Sequence, residues 1–148
     1  MRSFAVFLML VLITSMFGAF FRPGPWYDEL AKPALTPPGW LFSPVWITLY
    51  IMIVIAGWLV WKKTELPKHP ALLCWGGQLL ANALWSWLFF GLQKPGPAFV
   101  DIIVLLSLVC GFVYYAYPVS KTSSILFVPY AFWVLFAAYL NLGIIFLN

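Results

Sequence analysis

The chain has little charge. Of its 148 residues, 8% are Asp, Glu, Lys or Arg and 64% are apolar, and the mean hydropathy is +0.98. A chain of this composition cannot fold with a surface that water wets on all sides. Lipid must be its main solvent, and we predict an all-α membrane protein.

Histidine and cysteine are nearly absent. The one histidine, His69, lies in a loop, so a His-based metal or haem-iron site inside the membrane cannot be built. Cys74 and Cys110 lie in separate apolar runs, and neither has a partner at metal-ligand spacing. We interpret both as small packing or lipid-facing residues, with a disulfide between them as the alternative. No metal site is predicted, and no cofactor is required.

The apolar runs also lack the groups that conventional enzymes use. They contain no Ser-His-Asp, Cys-His or paired-carboxylate arrangement, and no Gly-rich phosphate loop opens a helix. The basic residues are dispersed between the runs, so nucleic-acid binding is not expected. Asp101 is the one acid inside a run, and we place it at the membrane interface, within reach of headgroup water or Lys94.

Five apolar runs are long enough to cross a bilayer, which takes about 20 helical residues. Loops rich in Pro, Gly and Lys separate them, and no soluble domain fits into those loops. The first run could be a secretory signal, but it has no clear small-residue cleavage site, so we retain it as a helix. We therefore predict a single domain, residues 1–148, built as a bundle of five transmembrane helices at residues 4–21, 43–61, 71–92, 98–117 and 123–147.

The basic residues predict the orientation of this bundle. Alternate loops place five on one side and three on the other: Arg2, Lys62, Lys63, Lys68 and Lys121 against Arg22, Lys32 and Lys94. Cytoplasmic loops retain positive charge, so we predict a cytoplasmic N-terminus. A helical bundle suits an inner or cytoplasmic membrane, because outer-membrane spans are normally barrels.

The first loop is aromatic and rich in proline. Asp28 and Lys32 have the i, i+4 spacing of one short helical turn, which we expect Pro33 to end. The aromatic residues of the loop, such as Trp26 and Tyr27, suit anchoring at the lipid headgroups or capping a pocket.

The third predicted helix carries polar residues at every fourth position, Gln78, Asn82 and Ser86. Buried amides are costly unless bonded, so this face should point into the bundle, where it either joins helices or binds a ligand. Gly77 and Ala81 permit a close helix contact, within the protomer or across a dimer.

Two further helices carry aromatic residues at the same spacing. The fifth has Trp133 and Ala137 in a series with Pro129 and Asn141, and the second has Trp46 and Tyr50. If these faces converge with the polar face, they enclose an aromatic cavity for a flat hydrophobic ligand, with Asn82 and Gln78 as its polar groups. Ordinary packing is the alternative.

Together these motifs resemble the TspO/MBR translocator protein family, also called peripheral-type benzodiazepine receptors. The match covers nearly the whole chain. It is carried by Trp26-Tyr27, Leu30, Lys32-Pro33, Thr36-Pro37-Pro38, Trp40, Pro44-Val45-Trp46, Leu49-Tyr50, Gln78-Leu79, Asn82, Trp85-Ser86, Phe89-Phe90, Val128-Pro129-Tyr130, Trp133, Phe136-Ala137 and Leu140-Asn141.

The resemblance implies a homodimer with one pocket per protomer, beneath the first loop, that binds porphyrins and benzodiazepine-type drugs. Carried over by motif, the ligand-binding residues are Tyr27, Trp46, Tyr50, Asn82, Trp85, Ser86, Trp133 and Ala137. Some bacterial relatives are implicated in the light-driven breakdown of protoporphyrin, for which Trp46 and Trp133 would be the catalytic residues.

The sterol-recognition pattern of animal members needs a basic residue soon after a tyrosine. No base follows Tyr139, so sterol binding by that pattern is not expected, and the short tail suggests a bacterial member. Three hypotheses remain. We favour a tetrapyrrole-binding sensor or transporter over a light-dependent porphyrin-degrading enzyme and over a structural or partner-binding membrane protein.

Overall fold

The computed structural model describes all residues, Met1–Asn148, and the chain is helical throughout, as predicted. A 3-10 turn, Gly39–Leu41, leads into the third helix, and a π-helical turn, Trp87–Gly91, continues the fourth. The six α-helices are α1 Arg2–Phe20, α2 Pro25–Glu29, α3 Phe42–Thr64, α4 Pro70–Ser86, α5 Pro95–Ala116 and α6 Lys121–Leu147.

Four segments are long and apolar enough to cross a membrane. They are Arg2–Phe20, Gly39–Thr64, Pro95–Ala116 and Lys121–Leu147, and they correspond to four of the five predicted runs. The remaining run, residues 71–92, is divided between α4, which has 17 residues, and the π turn, which has five. Helices of this length and apolarity make the chain a multi-pass membrane protein.

The helix ends follow from local chemistry. Proline begins α2, α4 and α5, where its missing N–H has no intrahelical partner to lose. The side chains of His69 and Ser120 cap α4 and α6 by accepting hydrogen bonds from the amides of Ala71 and Ser123. Glu65 follows α3 with a φ of 48°, a left-handed conformation that turns the chain out of the helix.

The long helices alternate in direction. At one end of the bundle the Phe4 and Trp58 rings lie 5.3 Å apart, and at the other end Asn141 Nδ2 donates to the carbonyl of Pro95 at 2.9 Å. The first of these ends carries the loops at residues 65–69 and 117–120, and we call it the basic end. The opposite end carries the first loop, residues 21–41, and we call it the long-loop end.

A tight contact joins α1, α3 and α4 in the half of the bundle nearer the basic end. The Trp75 indole lies on Gly57, and its Nε1 donates to the carbonyl of Ile53 at 2.8 Å. Phe7 of α1 packs against the same indole, with 4.7 Å between ring centroids. A Cβ on Gly57 would lie 2.6 Å from Trp75 Cε2 and 2.9 Å from Phe7 Cδ1, so this contact requires glycine.

Asp101 faces the interior of the bundle and forms no ion pair with Lys94, so the predicted contact with that lysine is wrong. The side chain is 7% exposed, and its Oδ2 is buried without a hydrogen-bond partner. Its spacing from Ala98 and Leu105 puts it on the inward face of α5, which packs against both α4 and α6. Asp101 lies close to the start of α5, but its side chain points into the bundle, and this direction keeps it from the headgroups.

The two cysteines and the Gly77/Ala81 pair lie on α4 and α5. Cys74 and Cys110 are both free, which confirms their interpretation as unpaired thiols. Gly77 faces α5, because a Cβ there would lie 3.3 Å from Leu108 Cδ1, and Ala81 is buried. Of the two alternatives for this pair, the structure shows the contact within the protomer.

Candidate ligand site

A buried phenol connects the two amides of α4 to α6. The Tyr130 hydroxyl donates to Gln78 Oε1 at 2.7 Å and accepts from Asn82 Nδ2 at 3.0 Å. All three side chains are buried, so the predicted polar face does point into the bundle. Gln78 Nε2 is buried as well and has no partner, which leaves one amide donor unsatisfied.

Aromatic rings from α3 flank this network. The Trp46 ring lies 5.3 Å from the Tyr50 ring and 6.3 Å from the Tyr130 ring, measured between centroids. A Cβ on Gly18 of α1 would lie 3.5 Å from Ser86 Oγ and 4.0 Å from the Tyr50 hydroxyl oxygen. Two of the predicted site residues, Trp46 and Asn82, therefore contact Tyr130, and Tyr50 and Ser86 adjoin this group near Gly18.

Trp133 lies about one turn nearer the long-loop end than Tyr130. Its ring neighbours are Phe42, at the start of α3, and Phe136, both at 5.8 Å between centroids. Ala137, one turn further along α6, is half-buried against the main core. Trp133 therefore forms the outer part of the same aromatic region and contacts α3 through Phe42.

Tyr27 and Trp85 belong to a second aromatic cluster under the first loop. Trp85 stacks on Phe89 at 4.9 Å, and Tyr27 packs edge-on against Phe89 and Phe90 at 6.2 and 5.6 Å. Trp85 also packs against the main core, and its Nε1 donates to Asn141 Oδ1 at 3.0 Å. The predicted residues thus form two adjoining groups that Trp85 joins.

The short helical turn in the first loop is present as α2, but it ends at Glu29, ahead of Pro33. Lys32 Nζ donates to the main-chain carbonyls of Asp28 and Leu30, each at 3.2 Å, and lies 4.7 Å from the centre of the Tyr27 ring. Burial, and then the Asp28 carboxylate, raise the pKa of Tyr27. Its phenol therefore remains a protonated donor across the physiological range.

The rest of the loop is fastened to the last turns of α6. Asn148 accepts from the amide of Ala31 at 3.0 Å and donates to its carbonyl at 2.9 Å, and the Tyr139 hydroxyl donates to the carbonyl of Ala34 at 2.9 Å. Pro33 sits on Gly143, where a Cβ would lie 2.7 Å from the proline ring. We call these contacts the loop clasp, and they hold the loop down at the long-loop end.

Loosening the clasp should free the loop and leave the bundle intact. In Gly143→Ala the new methyl group pushes Pro33 away, and in Asn148→Ala both bonds to Ala31 are lost. We expect amide hydrogen exchange in residues 25–41 to become about tenfold faster in each variant, because a lost bond or a close clash costs about 1 kcal/mol or more.

The matched control for these variants is Gly39→Ala, since nothing lies within 4 Å of a Cβ at that position. Circular dichroism should show unchanged helicity in all three proteins. Equal exchange rates in Gly143→Ala and Gly39→Ala would show that the clasp does not hold the loop.

The sequence pattern missed Tyr130, the centre of the network. A step of four residues turns an α-helix by 40° more than a full circle, so the series from Pro129 to Asn141 drifts around α6. Pro129 is exposed, whereas Asn141 is buried. A mixed three-and-four spacing finds the buried face correctly: Ser123, Phe127, Tyr130, Val134, Ala138, Asn141 and Ile144.

Known proteins are similar to this chain in sequence. The model of the TspO/MBR family matches residues 5–147. The chain is 40% identical to the "Tryptophan-rich protein TspO" of Archaeoglobus fulgidus, over 95% of this chain and 94% of that protein. It is 32% identical to the "Tryptophan-rich sensory protein" of Cereibacter sphaeroides, over 88% and 82% of the two chains.

An animal protein is similar too. The "Translocator protein" of Ovis aries is 36% identical over 78% of this chain and 70% of its own length. A family model that spans almost every residue, together with relatives aligned over most of both chains, is sufficient for the assignment. The chain belongs to the TspO/MBR family.

Proposed function

We propose that the protein binds a tetrapyrrole, protoporphyrin or haem, inside the membrane and acts as its sensor or transporter. The observation that carries this proposal is the unpartnered Nε2 of Gln78, which is buried in the side chain that bonds to Tyr130, the neighbour of Trp46. A buried donor without an acceptor costs about 1–3 kcal/mol, and a ligand carboxylate or ring nitrogen would remove that cost. The names of two relatives, one a sensory protein and one a translocator, agree with this role.

The ligand would be held mainly by aromatic faces. Trp46 and Tyr50 offer one wall from α3, Trp133 and Ala137 offer another from α6, and Asn82 with Ser86 supplies polar contacts from α4. Tyr27 and Trp85 would close the site beneath the first loop. The rings now pack on one another, so a flat ligand must separate the loop and α3 from α6, and the loop clasp would oppose that movement.

The proposal includes a five-span topology. The α4 helix and its π turn are contiguous and bring the chain from the basic end to the long-loop end, although neither alone meets the length of a span. We place the N-terminus in the cytoplasm, as the distribution of lysine and arginine predicts, and the protein in a bacterial inner membrane. A homodimer remains part of the proposal, and it would use helix faces other than that of Gly77.

A titration with protoporphyrin in darkness tests the binding site. We expect saturable quenching of tryptophan fluorescence, and about fivefold weaker binding in Trp46→Phe and in Trp133→Phe, since each loses indole contact area and, with it, roughly 1 kcal/mol. Trp61→Phe at the basic end is the control and should bind like the wild type. Unchanged affinity in both site variants would contradict the assignment, and a benzodiazepine-type drug should compete with the porphyrin.

The same samples under illumination separate binding from catalysis. A stable porphyrin absorption band supports a sensor or transporter. A light-driven loss of the band that requires both Trp46 and Trp133 would identify these two as catalytic residues of a porphyrin-degrading enzyme. Absence of binding in the dark would leave a structural or partner-binding role.

A further inference from the structure

The two ends of the bundle differ strongly in charge. The basic end carries five basic side chains against one acid, Glu65: Arg2, Lys62, Lys63, Lys68 and Lys121. The long-loop end carries three, Arg22, Lys32 and Lys94, against Asp28 and Glu29. The basic end therefore attracts the anionic groups of a membrane surface.

A cavity of about 420 Å³ opens at the basic end, where α5 turns into α6. Three of its six lining residues are tyrosines, and these are exposed at 75%, 44% and 53%. The tyrosine hydroxyls that bond within the chain are those of Tyr130 and Tyr139, so these three remain available. The lining residues are Val113, Tyr114, Tyr115, Tyr117, Pro118 and Ser124.

Lys121 provides the positive charge beside this cavity. It is the first residue of α6, and its Nζ lies 5.5 Å from the centre of the Tyr117 ring. A lysine over a ring of this tyrosine-lined cavity can offer a phosphate group a positive charge, and the tyrosine hydroxyls of the cavity can offer hydrogen-bond donors.

Exposed apolar side chains follow Lys121 along α6. Ile125, Val128 and Phe132 follow Lys121 at helical spacing and are all exposed. Phe132 enters a groove of about 570 Å³ between α5 and α6, and every residue that lines this groove is hydrophobic, including Phe99, Ile103 and Leu106. Tyr117 shares a face of α5 with Ile103 and Phe99, so the cavity and the groove lie along one seam.

The geometry points to a binding site for one anionic phospholipid on the α5–α6 seam. The phosphate lies between Lys121 and the tyrosine hydroxyls, and an acyl chain runs past Ile125 and Val128 into the apolar groove. A positive charge at one end, and exposed apolar side chains that lead from it toward an apolar groove, match a lipid. A soluble anion would leave the groove unfilled, and a zwitterionic lipid has no net charge for Lys121 to recognise.

The test compares thermal unfolding of the detergent-purified full chain with added dioleoylphosphatidylglycerol or dioleoylphosphatidylcholine. We expect the anionic lipid to raise the midpoint at lower concentration than the zwitterionic one. Lys121→Ala should weaken the apparent affinity for the anionic lipid about fivefold, the contribution of one lysine near a charged surface. Lys121→Arg should retain the preference.

Lys94→Ala, at the opposite end of α5, is the matched control, since it removes the same charge far from the proposed phosphate position and should bind like the wild type. Glycerol phosphate, a headgroup without acyl chains, should produce no shift. Equal losses in Lys121→Ala and Lys94→Ala, an equal response to both lipids, or a full shift with glycerol phosphate would each overturn the proposal.

Discussion

Gly57→Ala is expected to destabilise the protein more than any other single-methyl change in α3. The added carbon would overlap the Trp75 indole and press on Phe7, so the indole must move and its hydrogen bond to the Ile53 carbonyl must lengthen. Overpacking of this kind costs about 3 kcal/mol or less, and the lost bond adds about 1 kcal/mol. For a chain of this size we expect the melting midpoint to fall by about 10 °C.

The control for this prediction is Gly76→Ala, which places the same methyl group where nothing lies within 4 Å. It should leave the midpoint unchanged or raise it slightly, because alanine favours the helix by up to about 1 kcal/mol. Melting followed by circular dichroism and by tryptophan fluorescence would measure both variants. Equal melting midpoints in Gly57→Ala and Gly76→Ala would show that the Trp75 contact does not limit stability.

Tyr130→Phe is expected to have the second-largest effect. It removes one hydroxyl and strands two buried groups, Gln78 Oε1 and Asn82 Nδ2, at a cost of about 1–3 kcal/mol. Gln78→Leu should cost less, because it leaves the Tyr130 hydroxyl without its acceptor but also removes an amide nitrogen that already has no partner. The double variant should be more stable than additivity predicts, which a double-mutant cycle measures.

Gln78→Leu also distinguishes a structural role of Gln78 from a role in ligand binding. If Gln78 orients a ligand, Gln78→Leu should nearly keep the melting midpoint and lose porphyrin affinity. If Gln78 has only a structural role, the same substitution should lower the midpoint and leave the affinity unchanged. The comparison uses the dark titration already described. A Gln78→Leu protein that melts early and binds normally would remove Gln78 from the site.

Most of the helical architecture could be predicted from sequence, because it depends on long apolar runs and on prolines that break them. Prolines marked the breaks near residues 65–69 and 95 correctly, but α5 begins at Pro95 and not at the predicted residue 98, because proline fits the first turn of a helix. The π turn could not be predicted. Its residue Phe89 packs against Trp26 and Tyr27, which are distant in sequence, and no local pattern records such contacts.

The site was predictable in its residue types and less so in its pairings. A buried amide needs a hydrogen-bond partner, and the spacing of Gln78 and Asn82 correctly predicted that their face of α4 points into the bundle. The partner, Tyr130, depends on the relative rotation of α4 and α6, which no local pattern records. Asp101 shows the opposite error, because its depth along the helix was considered and its direction was not.

The thin packing of α1 has a consequence for how the molecule comes apart. Only Phe7, Val11 and Thr14 of its 19 residues are buried, and it leans on α3 and α4, whereas α4 and α6 are both joined extensively to α5. In a bilayer a helix can leave its neighbours and remain helical, because lipid replaces the lost contacts. Dissociation need not be all-or-none: α1 would detach first, and a four-helix remnant would persist as a distinct intermediate.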